Sequence, residues 1–265
     1  MKKENIYTAA TILFNHRIKA SSLDDLPKDC DPCNLEEAYL IQDELMKIYL
    51  KLKDNYIIGK KVGCTNRWAQ EQINVNKPFY GNLFSKFSNV NGCILKSNKF
   101  SKPYMEPEFS FRINQDIDIS KGPFTKNQII KFIDTIMCSV EIVDFRFNNN
   151  LKEIGIFKLI ASNGASEYWI KNEKEFEVDF INLENHNVEV YKNNKLIDKG
   201  NSNNVLNNPL NSLLWLINEL SLKGEIILKN YLISTGTCTK AIPLHKNDNV
   251  KVDFGKLGKI EFKFE

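Results

Sequence analysis

The stretch Tyr104-Met105-Glu106-Pro107-Glu108-Phe109-Ser110-Phe111 predicts a β-strand that carries two acids. Residues i and i+2 of a strand point to the same face, so the side chains of Glu106 and Glu108 would lie side by side. Two adjacent carboxylates repel each other, and a hard divalent cation such as Mg²⁺ removes that repulsion. The pattern therefore indicates a metal site. The alternative is a solvent-exposed edge strand, because Pro107 cannot donate to a β-ladder.

A third acid, Glu141, lies in the stretch Glu141-Ile142-Val143-Asp144-Phe145-Arg146, which also predicts a strand. Its apolar neighbours indicate a buried position, where an unpaired charge would be costly. Buried acids are usually paired or bound to a metal. The sequence leaves both possibilities open, with Arg146 or a lysine as the partner in a pair.

Around these two stretches, the order of predicted elements indicates an α+β protein. We expect a helical N-terminal region over 1–75 and a β-rich catalytic body over 76–265 that closes as a barrel or roll. Besides the two acid-bearing stretches, taken as 106–113 and 140–147, strands are expected at 57–63, at 188–197 across Asn193-Asn194, at 228–235, and as a hairpin over 250–264.

Three helices have signals at their ends. The capping box Asn34-Leu35-Glu36-Glu37, with the Glu37 side chain reaching back to Asn34, predicts a helix that runs to about Leu52. A second box, Thr125-Lys126-Asn127-Gln128, predicts a helix through Met137. A first-turn proline and a terminal glycine predict a third helix over 209–224.

The charge balance excludes several function classes. The chain has 36 Lys+Arg against 33 Asp+Glu, a net charge of +3, which argues against a nucleic-acid-binding protein with its usual basic face. It has three His, and a His-rich zinc site would need nearly all of them, while a catalytic triad would need one. Carboxylates and lysines are therefore favoured as the catalytic groups.

We expect a cytoplasmic protein that does not bind membranes. No apolar stretch approaches the roughly 18–20 residues of a membrane-spanning helix. The apolar segment Thr8 to Phe14 has no small-residue cleavage site after it, unlike a signal peptide. The six Cys do not indicate a disulfide framework, and Cys30-Asp31-Pro32-Cys33 predicts a turn rather than a metal or redox site.

A set of motifs resembles one enzyme family. Gly59-Lys60-Lys61-Val62-Gly63-Cys64-Thr65 resembles the G-x-K-x-G-x-T segment of the 2-keto-4-pentenoate hydratases and 2-oxo-3-enedioate (4-oxalocrotonate) decarboxylases, within the fumarylacetoacetate hydrolase superfamily. Glu106-Pro107-Glu108 is similar to the family's E-x-E metal motif, and Glu141 to Arg146 is similar to its E-[IV]-V-D-S-R strand. Further similar segments follow the family's order: Pro78 to Leu83, Leu159 to Gly164, Asn208-Pro209-Leu210 with Trp215-Leu216, and Thr235-Gly236-Thr237.

The resemblance implies a fold, a metal and a set of site residues. The fold would be a fumarylacetoacetate-hydrolase-like mixed β-roll or barrel with a helical N-terminal region. The metal would be Mg²⁺ or Mn²⁺, held by Glu106, Glu108 and Glu141, and Lys61 would be the active-site lysine. The residues around the substrate would be Leu83, Asn163, Gly236 and Thr237.

The function that the resemblance implies is a metal-dependent hydratase in aromatic catabolism. It would add water to a small 2-hydroxy-2,4-dienoate to give a 4-hydroxy-2-oxo acid, with Lys61 moving a proton or stabilising an oxyanion. The enzymatic alternatives are a 2-oxo-3-enedioate decarboxylase and an acylpyruvate C–C hydrolase. The non-enzymatic alternative is an inactive partner subunit of such an enzyme. We expect a homo-oligomer.

Three positions depart from the family pattern. Ser162 replaces the usual acid before Asn163, Asn208 replaces the usual His, and Phe145 replaces a small residue. The loss of an acid at 162 would remove a proton-handling or orienting carboxylate near the pocket. The departures therefore bear on which reaction of the family this chain catalyses.

Overall fold

The computed structural model describes residues 1–178 and 182–265 as an α+β structure. The α-helices of this part of the chain are α1 (Lys3–Ile18), α2 (Leu35–Leu50), α3 (Arg67–Ile73), α4 (Lys126–Ile129), α5 (Leu151–Ala161) and α6 (Pro209–Lys223). The strands are β1 (Ile57–Gly63), β2 (Phe79–Phe84), β3 (Ser88–Val90), β4 (Ile94–Leu95), β5 (Pro103–Ile113), β6 (Ile133–Asp144), β7 (Ser166–Lys171), β8 (Asn187–Lys192), β9 (Lys195–Asn201), β10 (Leu232–Thr237), β11 (Ile242–Pro243), β12 (Asp248–Asp253) and β13 (Lys259–Phe264). Within the described residues, the helices are all too short or too polar to span a membrane.

The larger sheet has the strand order β2-β1-β10-β5-β6-β7-β3, and β11 pairs with β5 outside this path. The pairs β1–β10 and β3–β7 are parallel, and the other neighbours are antiparallel. Strand β1 precedes residue 75 and yet lies inside this sheet, next to β2. The division of the chain at residue 75 stays a prediction.

The smaller sheet has the order β4-β13-β12-β8-β9 and packs on the larger one. Its apolar side chains, among them Val190, Val252 and Ile260, lie in one core with Phe109 and Phe111 of β5. This packing leaves β5 and β6 covered on both faces, and from position 136 to the end of β6 every residue is buried. Three acids on these strands, Glu108, Glu141 and Asp144, are therefore removed from bulk water.

The ends of α2 and α6 are set by the predicted residues. Asn34 Oδ1 accepts the Glu37 N–H at 2.9 Å, so Asn34 caps α2 as predicted. The prediction that the Glu37 side chain reaches back to Asn34 is wrong, because the Glu37 carboxylate accepts the Cys33 N–H at 3.0 Å instead. Helix α6 begins at Pro209 and ends at Lys223, and the next residue, Gly224, has the left-handed φ of 72° that glycine adopts without strain.

The helix predicted through Met137 is wrong. The capping box at Thr125 is present, but α4 ends at Ile129, and β6 begins at Ile133 after one 3₁₀ turn. A strand buried on both faces is apolar on both, so it lacks the two-residue alternation of a half-exposed strand. Such a run cannot be distinguished from a buried helix by periodicity alone.

The other strand predictions are mostly confirmed. Strand β1 and the hairpins β8–β9 and β12–β13 lie where the sequence placed them. The strand predicted over 140–147 ends earlier, at Asp144, and the strand predicted over 228–235 begins later, at Leu232. The observed strands still contain Glu141, on β6, and Gly236, on β10.

A buried group of ionic side chains joins the first helix to the larger sheet; we call Arg17, Asp144, Arg146 and Glu167 the arginine cluster. Arg17 Nε lies 3.1 Å from Glu167 Oε1, and Arg146 Nη1 lies 3.0 Å from Asp144 Oδ2. Arg146 also pairs with Glu167. All four residues are at most 7% exposed, so the two arginines and two acids balance their charges inside the protein.

Candidate metal centre and substrate site

Three carboxylates meet where β5 and β6 pair; we call Glu106, Glu108 and Glu141 the carboxylate cluster. Glu106 is directly opposite Glu141 in the antiparallel register, and Glu108 follows two residues later on the same face of β5. One oxygen from each residue lies within 4.8 Å of the other two. Glu108 and Glu141 are fully buried, and Glu106 is half-buried.

Lys61 lies beside this cluster. It is on β1, its side chain is 2% exposed, and its Nζ is 3.1 Å from Glu141 Oε2. Nζ also donates to the carbonyl oxygen of Gly164 at 3.0 Å. Burial by itself lowers the pKa of Lys61, but the three nearby carboxylates, Glu141 foremost, raise it above its usual value. The amine is therefore held as an ammonium group.

One ammonium group does not balance three carboxylates. Burial raises the pKa of Glu106 to about 7, with Glu141 adding to that rise and Lys61 opposing it. Burial, together with Glu141 and Glu106, also raises the pKa of Glu108 well above its usual range. Glu108 Oε1 and Glu141 Oε1 are buried without a hydrogen-bond partner among the described residues. The cluster offers only oxygen ligands, which suits a hard divalent cation such as Mg²⁺ or Mn²⁺.

A chain of hydrogen-bonded hydroxyl groups holds the carboxylate of Glu108 in place. The Ser234 hydroxyl donates to Glu108 Oε2 and receives hydrogen bonds from the Ser110 hydroxyl at 3.0 Å and the Trp169 indole N–H at 3.1 Å. Ser110 and Ser139 are joined at 2.7 Å. Such groups hold a carboxylate in one orientation and tune its affinity for a metal. Sequence reasoning missed these serines, because they come from β5, β6 and β10 and share no local motif.

Of the predicted substrate residues, Gly236 is hydrogen-bonded to the cluster, and Asn163 precedes Gly164, whose carbonyl accepts from Lys61. Asn163 Oδ1 accepts the Asn82 N–H at 2.8 Å, and Asn163 Nδ2 donates to the Asn82 carbonyl at 3.0 Å, which ties this turn to β2. The Gly236 N–H donates to Glu108 Oε2 at 3.2 Å. Gly236 has a φ of 94°, and a Cβ there would lie 2.0 Å from Thr65 Oγ1, so only glycine fits.

Thr237 and Leu83 have different surroundings. Thr237 is opposite Glu108 in the β10–β5 register, and its hydroxyl bonds to the backbone of Thr239. Leu83 lies in an apolar cluster with Met137 and Trp169. The roles of Leu83, Asn163, Gly236 and Thr237 in substrate binding stay predictions.

The three departures from the family pattern have local partners. The Ser162 hydroxyl donates to the Leu159 carbonyl at 3.0 Å and places no charge near the cluster. Asn208 Oδ1 accepts the Leu210 N–H at 2.9 Å and so caps α6. The ring of Phe145 packs on that of Tyr104, with 5.6 Å between ring centres.

Comparison with known sequences finds full-length relatives, although no family model matches. The chain is 26% identical to 4-oxalocrotonate decarboxylase from Pseudomonas putida over 269 residues, which cover 100% of this chain and 98% of the relative. It is 27% identical to 2-oxo-hept-4-ene-1,7-dioate hydratase from Escherichia coli, covering 94% and 91%. It is 23% identical to 2-keto-4-pentenoate hydratase 1 from Dechloromonas aromatica, covering 86% and 85%.

Comparison with solved structures gives the same grouping. The structure of 4-oxalocrotonate decarboxylase from Pseudomonas putida G7, complexed with magnesium and adipate, matches with a TM-score of 0.92 at 26% identity and covers 100% of this chain and 99% of that one. Fumarylpyruvate hydrolase from Pseudomonas aeruginosa, in complex with Mn²⁺ and pyruvate, matches with a TM-score of 0.60 at 8% identity over 77% and 88%, a likeness of fold alone.

The fold is therefore fumarylacetoacetate-hydrolase-like, as the motifs predicted. Within that class, the predicted resemblance to the 2-keto-4-pentenoate hydratases and 4-oxalocrotonate decarboxylases is confirmed, and it extends over the whole chain.

Proposed function

We propose that this chain is a metal-dependent hydratase that adds water to a 2-hydroxy-2,4-dienoate and forms a 4-hydroxy-2-oxo acid. The observation that carries the proposal is the buried carboxylate cluster, with unpaired oxygens and a single ammonium group beside it. The similarity of the chain to known hydratases supports the same function. We further propose a cytoplasmic homo-oligomer that acts in aromatic catabolism.

In this proposal each residue has a defined task. Glu106, Glu108 and Glu141 would hold Mg²⁺ or Mn²⁺, and the bound ion would act as a Lewis acid toward the substrate's carboxylate and C2 oxygen. Lys61 would hold a proton at Nζ, where it can stabilise negative charge on the C2 oxygen or pass the proton to carbon. The hydroxyl of Ser234 would keep Glu108 in place, and the carbonyl of Gly164 would orient Nζ of Lys61.

The second candidate is a 2-oxo-3-enedioate decarboxylase. Two observations favour it: the decarboxylase relative aligns with the full chain, and its solved structure matches with a TM-score of 0.92. The two reactions would share the metal and Lys61. They differ in whether water adds to the conjugated alkene or the distal carboxylate leaves as CO₂.

One assay separates these candidates. The purified, Mg²⁺-loaded chain is incubated with 2-hydroxypenta-2,4-dienoate and, separately, with 2-oxohex-3-enedioate, while conjugated absorbance and CO₂ are followed. We expect the absorbance of the dienoate to fall without CO₂ release. Release of CO₂ from the enedioate without hydration of the dienoate would support the decarboxylase instead. Turnover that appears only after a second chain is added would identify a partner subunit.

A matched pair of lysine variants tests the catalytic role. Lys61→Met should bind metal and lower turnover by about 100-fold or more, the usual contribution of a positioned proton-transfer group. Lys60→Met is the control, because Lys60 is the adjacent residue but its Nζ pairs with Glu225 at 2.7 Å, away from the cluster. Equal turnover by the two variants would remove Lys61 from the mechanism.

A further inference from the structure

A turn with an unusual backbone connects α5 to β7 beside Lys61. Asn163, Gly164 and Ala165 have φ values of 59°, 64° and 57°, so three consecutive residues lie in the left-handed region. That region is sterically unfavourable for a residue with a Cβ, and two of these three residues have one. Such a conformation persists only where surrounding contacts hold it, which is common at functional sites. We call residues 163–165 the left-handed turn.

The contacts that hold the left-handed turn come from β2. Asn163 Oδ1 accepts the Asn82 N–H at 2.8 Å, and Asn163 Nδ2 donates to the Asn82 carbonyl at 3.0 Å. The amide therefore pairs with this backbone as a residue of a neighbouring antiparallel strand would. Asn163 is 2% exposed, and both polar atoms of its side chain are bonded to β2. Its amide thus serves the fold of the turn before it can serve a substrate.

The left-handed turn directs a backbone carbonyl at the ammonium group of Lys61. The Gly164 carbonyl oxygen accepts from Lys61 Nζ at 3.0 Å, and Glu141 Oε2 lies 3.1 Å from the same nitrogen. A Cβ at Gly164 would lie 3.2 Å from Nζ and 2.5 Å from the ring of Phe79, so the turn packs directly against the end of the lysine. An ammonium group has three N–H donors. Gly164 and Glu141 fix two directions, and a third N–H remains for a ligand at the carboxylate cluster.

The β1–β2 register explains why the turn lies next to this lysine. Gly81 is directly opposite Lys61 in the antiparallel pair, so the two residues share one face of the sheet. A Cβ at Gly81 would lie 2.9 Å from the carbonyl oxygen of Asn163, so the missing side chain lets the turn approach β2. Displacing the turn from β2 would move the Gly164 carbonyl, and the remaining N–H of Lys61 would change direction with it.

We propose that Asn163 is a positioning residue for Lys61: its amide fixes the left-handed turn on β2, and the turn directs Nζ toward the C2 oxygen of the substrate. The inference rests on the proposed function, in which Lys61 stabilises negative charge on that oxygen. It replaces the predicted role of Asn163, which is direct contact with the substrate. A contact residue contributes to ground-state binding, whereas a positioning residue affects the interaction with the developing charge.

Two small acids test the inference without any need for turnover. Oxalate carries negative charge on the oxygen that corresponds to the C2 oxygen of a 2-oxo acid, whereas in pyruvate this oxygen is an uncharged carbonyl. Their affinities for the Mg²⁺-loaded full chain are measured by calorimetry. Lys61→Met should lower the affinity for oxalate, relative to pyruvate, by about 10-fold, the usual effect of a charge-assisted hydrogen bond. Asn163→Gly should lower it by about 5-fold and leave pyruvate binding within about 2-fold.

The substitution by glycine removes the amide and still allows the left-handed φ. Asn230→Gly is the matched control, because Asn230 also has a left-handed φ, of 68°, but lies in an exposed turn. It should leave both affinities unchanged. Gly81→Ala is an independent second variant, which displaces the turn and keeps the Asn163 amide, and it should lower the oxalate preference as Asn163→Gly does. Thermal unfolding and Mg²⁺ titration check that each variant is folded with an intact cluster.

Three results would overturn the inference. An equal loss of oxalate and pyruvate binding in Asn163→Gly would make Asn163 a substrate contact. An oxalate preference that is lost in Lys61→Met but retained in Asn163→Gly and Gly81→Ala would mean that the turn does not position the lysine. A preference that is retained in Lys61→Met would mean that Nζ does not face the C2 oxygen.

Turnover separates a failed positioning role from a failed function. In an active enzyme, Asn163→Gly should lower kcat by about 10-fold and leave KM within about 2-fold. If the unmodified chain hydrates the dienoate and the turn variants keep both kcat and the oxalate preference, the positioning role is wrong and the proposed function stands. If the preference falls in the variants as expected but no dienoate reacts, the positioning role stands and the proposed function is wrong.

Discussion

The carboxylate cluster and the arginine cluster are both buried, and strand β6 contributes a member to each. In the arginine cluster, two acids face two arginines, and Asp144 also accepts the backbone N–H groups of Ser101 and Lys102. In the carboxylate cluster, three acids face one lysine, and three oxygens, Glu108 Oε1 and both of Glu141, have no hydrogen-bond partner among the described residues.

The arginine cluster therefore has the composition of a structural ion pair, and the carboxylate cluster has the composition of a cation-binding site. Buried ions are tolerated when each charge has a partner of opposite sign, and in the arginine cluster both acids are paired with arginines. The carboxylate cluster has more acids than cations, and burial together with the neighbouring carboxylates raises the pKa values of Glu106 and Glu108. A divalent cation would supply the missing charge.

The largest expected effect comes from removing one charge of the carboxylate cluster. Glu141→Gln and Glu108→Gln should each weaken Mg²⁺ binding by about 1000-fold, equivalent to about 4 kcal/mol, and abolish turnover. The metal-free Glu108→Gln protein should be more stable than the unmodified chain, because a buried, repelled carboxylate has been neutralised. Calorimetric Mg²⁺ titration and urea unfolding measure the two effects.

The control for these variants is Glu175→Gln, which neutralises an acid that pairs with Arg112 outside both clusters. Its Mg²⁺ affinity should stay within about 2-fold of the unmodified chain. If Glu108→Gln and Glu141→Gln retain full metal affinity, the carboxylate cluster is not the metal site.

The second-largest expected effect comes from removing a positive charge from the arginine cluster. Arg146→Met leaves Asp144 and Glu167 without one cation, and removing one partner of a buried pair costs about 3–5 kcal/mol of unfolding free energy. Mg²⁺ affinity of the folded fraction should not change. Urea unfolding gives the cost, with Lys96→Met as control: Lys96 is 63% exposed and pairs with Glu265, so its removal should cost less than about 1 kcal/mol. An equal cost for both variants would mean that the arginine cluster does not hold the fold.

The smallest effect is a pH dependence in the metal-free protein. Glu106 has a pKa raised to about 7 in the folded chain against an ordinary value of 4.5, so the folded state binds more protons across that interval. Stability from this group is full below pH 4.5 and is lost as the pH rises through 7. Glu106→Gln lacks this loss, and its gain in Tm over the unmodified chain should grow from pH 4.5 to 7 in EDTA.

Glu175→Gln is the control in the same experiment. The hydrogen bond from Arg112 lowers the pKa of Glu175 below its ordinary value of 4.5, so the stability from this acid is complete above pH 4.5 and is lost only at lower pH. The variant should therefore have a lower Tm than the unmodified chain by an amount that stays constant from pH 4.5 to 7. If the Tm difference of Glu106→Gln is equally flat with pH, the raised pKa of Glu106 is wrong.

The sequence predicted which acids lie close together better than it predicted the secondary structure around them. Glu106 and Glu108 are two residues apart on a strand, and that spacing alone places them on one face. The approach of Glu141 depends on the β5–β6 register, and the motif resemblance supplied it before the register was known. Helix α6 was predictable because Pro209 and Gly224 are local signals at its ends.

The failures have a common physical reason. The capping box at Thr125 is real, but tertiary burial on both faces makes the following residues a strand. The pairing of Arg17 with Glu167 and the hydroxyl chain through Ser110 and Ser234 join residues more than 100 positions apart. Local sequence patterns contain no information about which distant side chains will meet.

The β5–β6 register places a limit on how this sequence can change in length. Glu141 and Asp144 lie three positions apart on β6, so their side chains point to opposite faces and serve different clusters. Deleting one residue before Glu141 would turn both acids to the wrong faces at once. Insertions and deletions are therefore excluded from this part of β6.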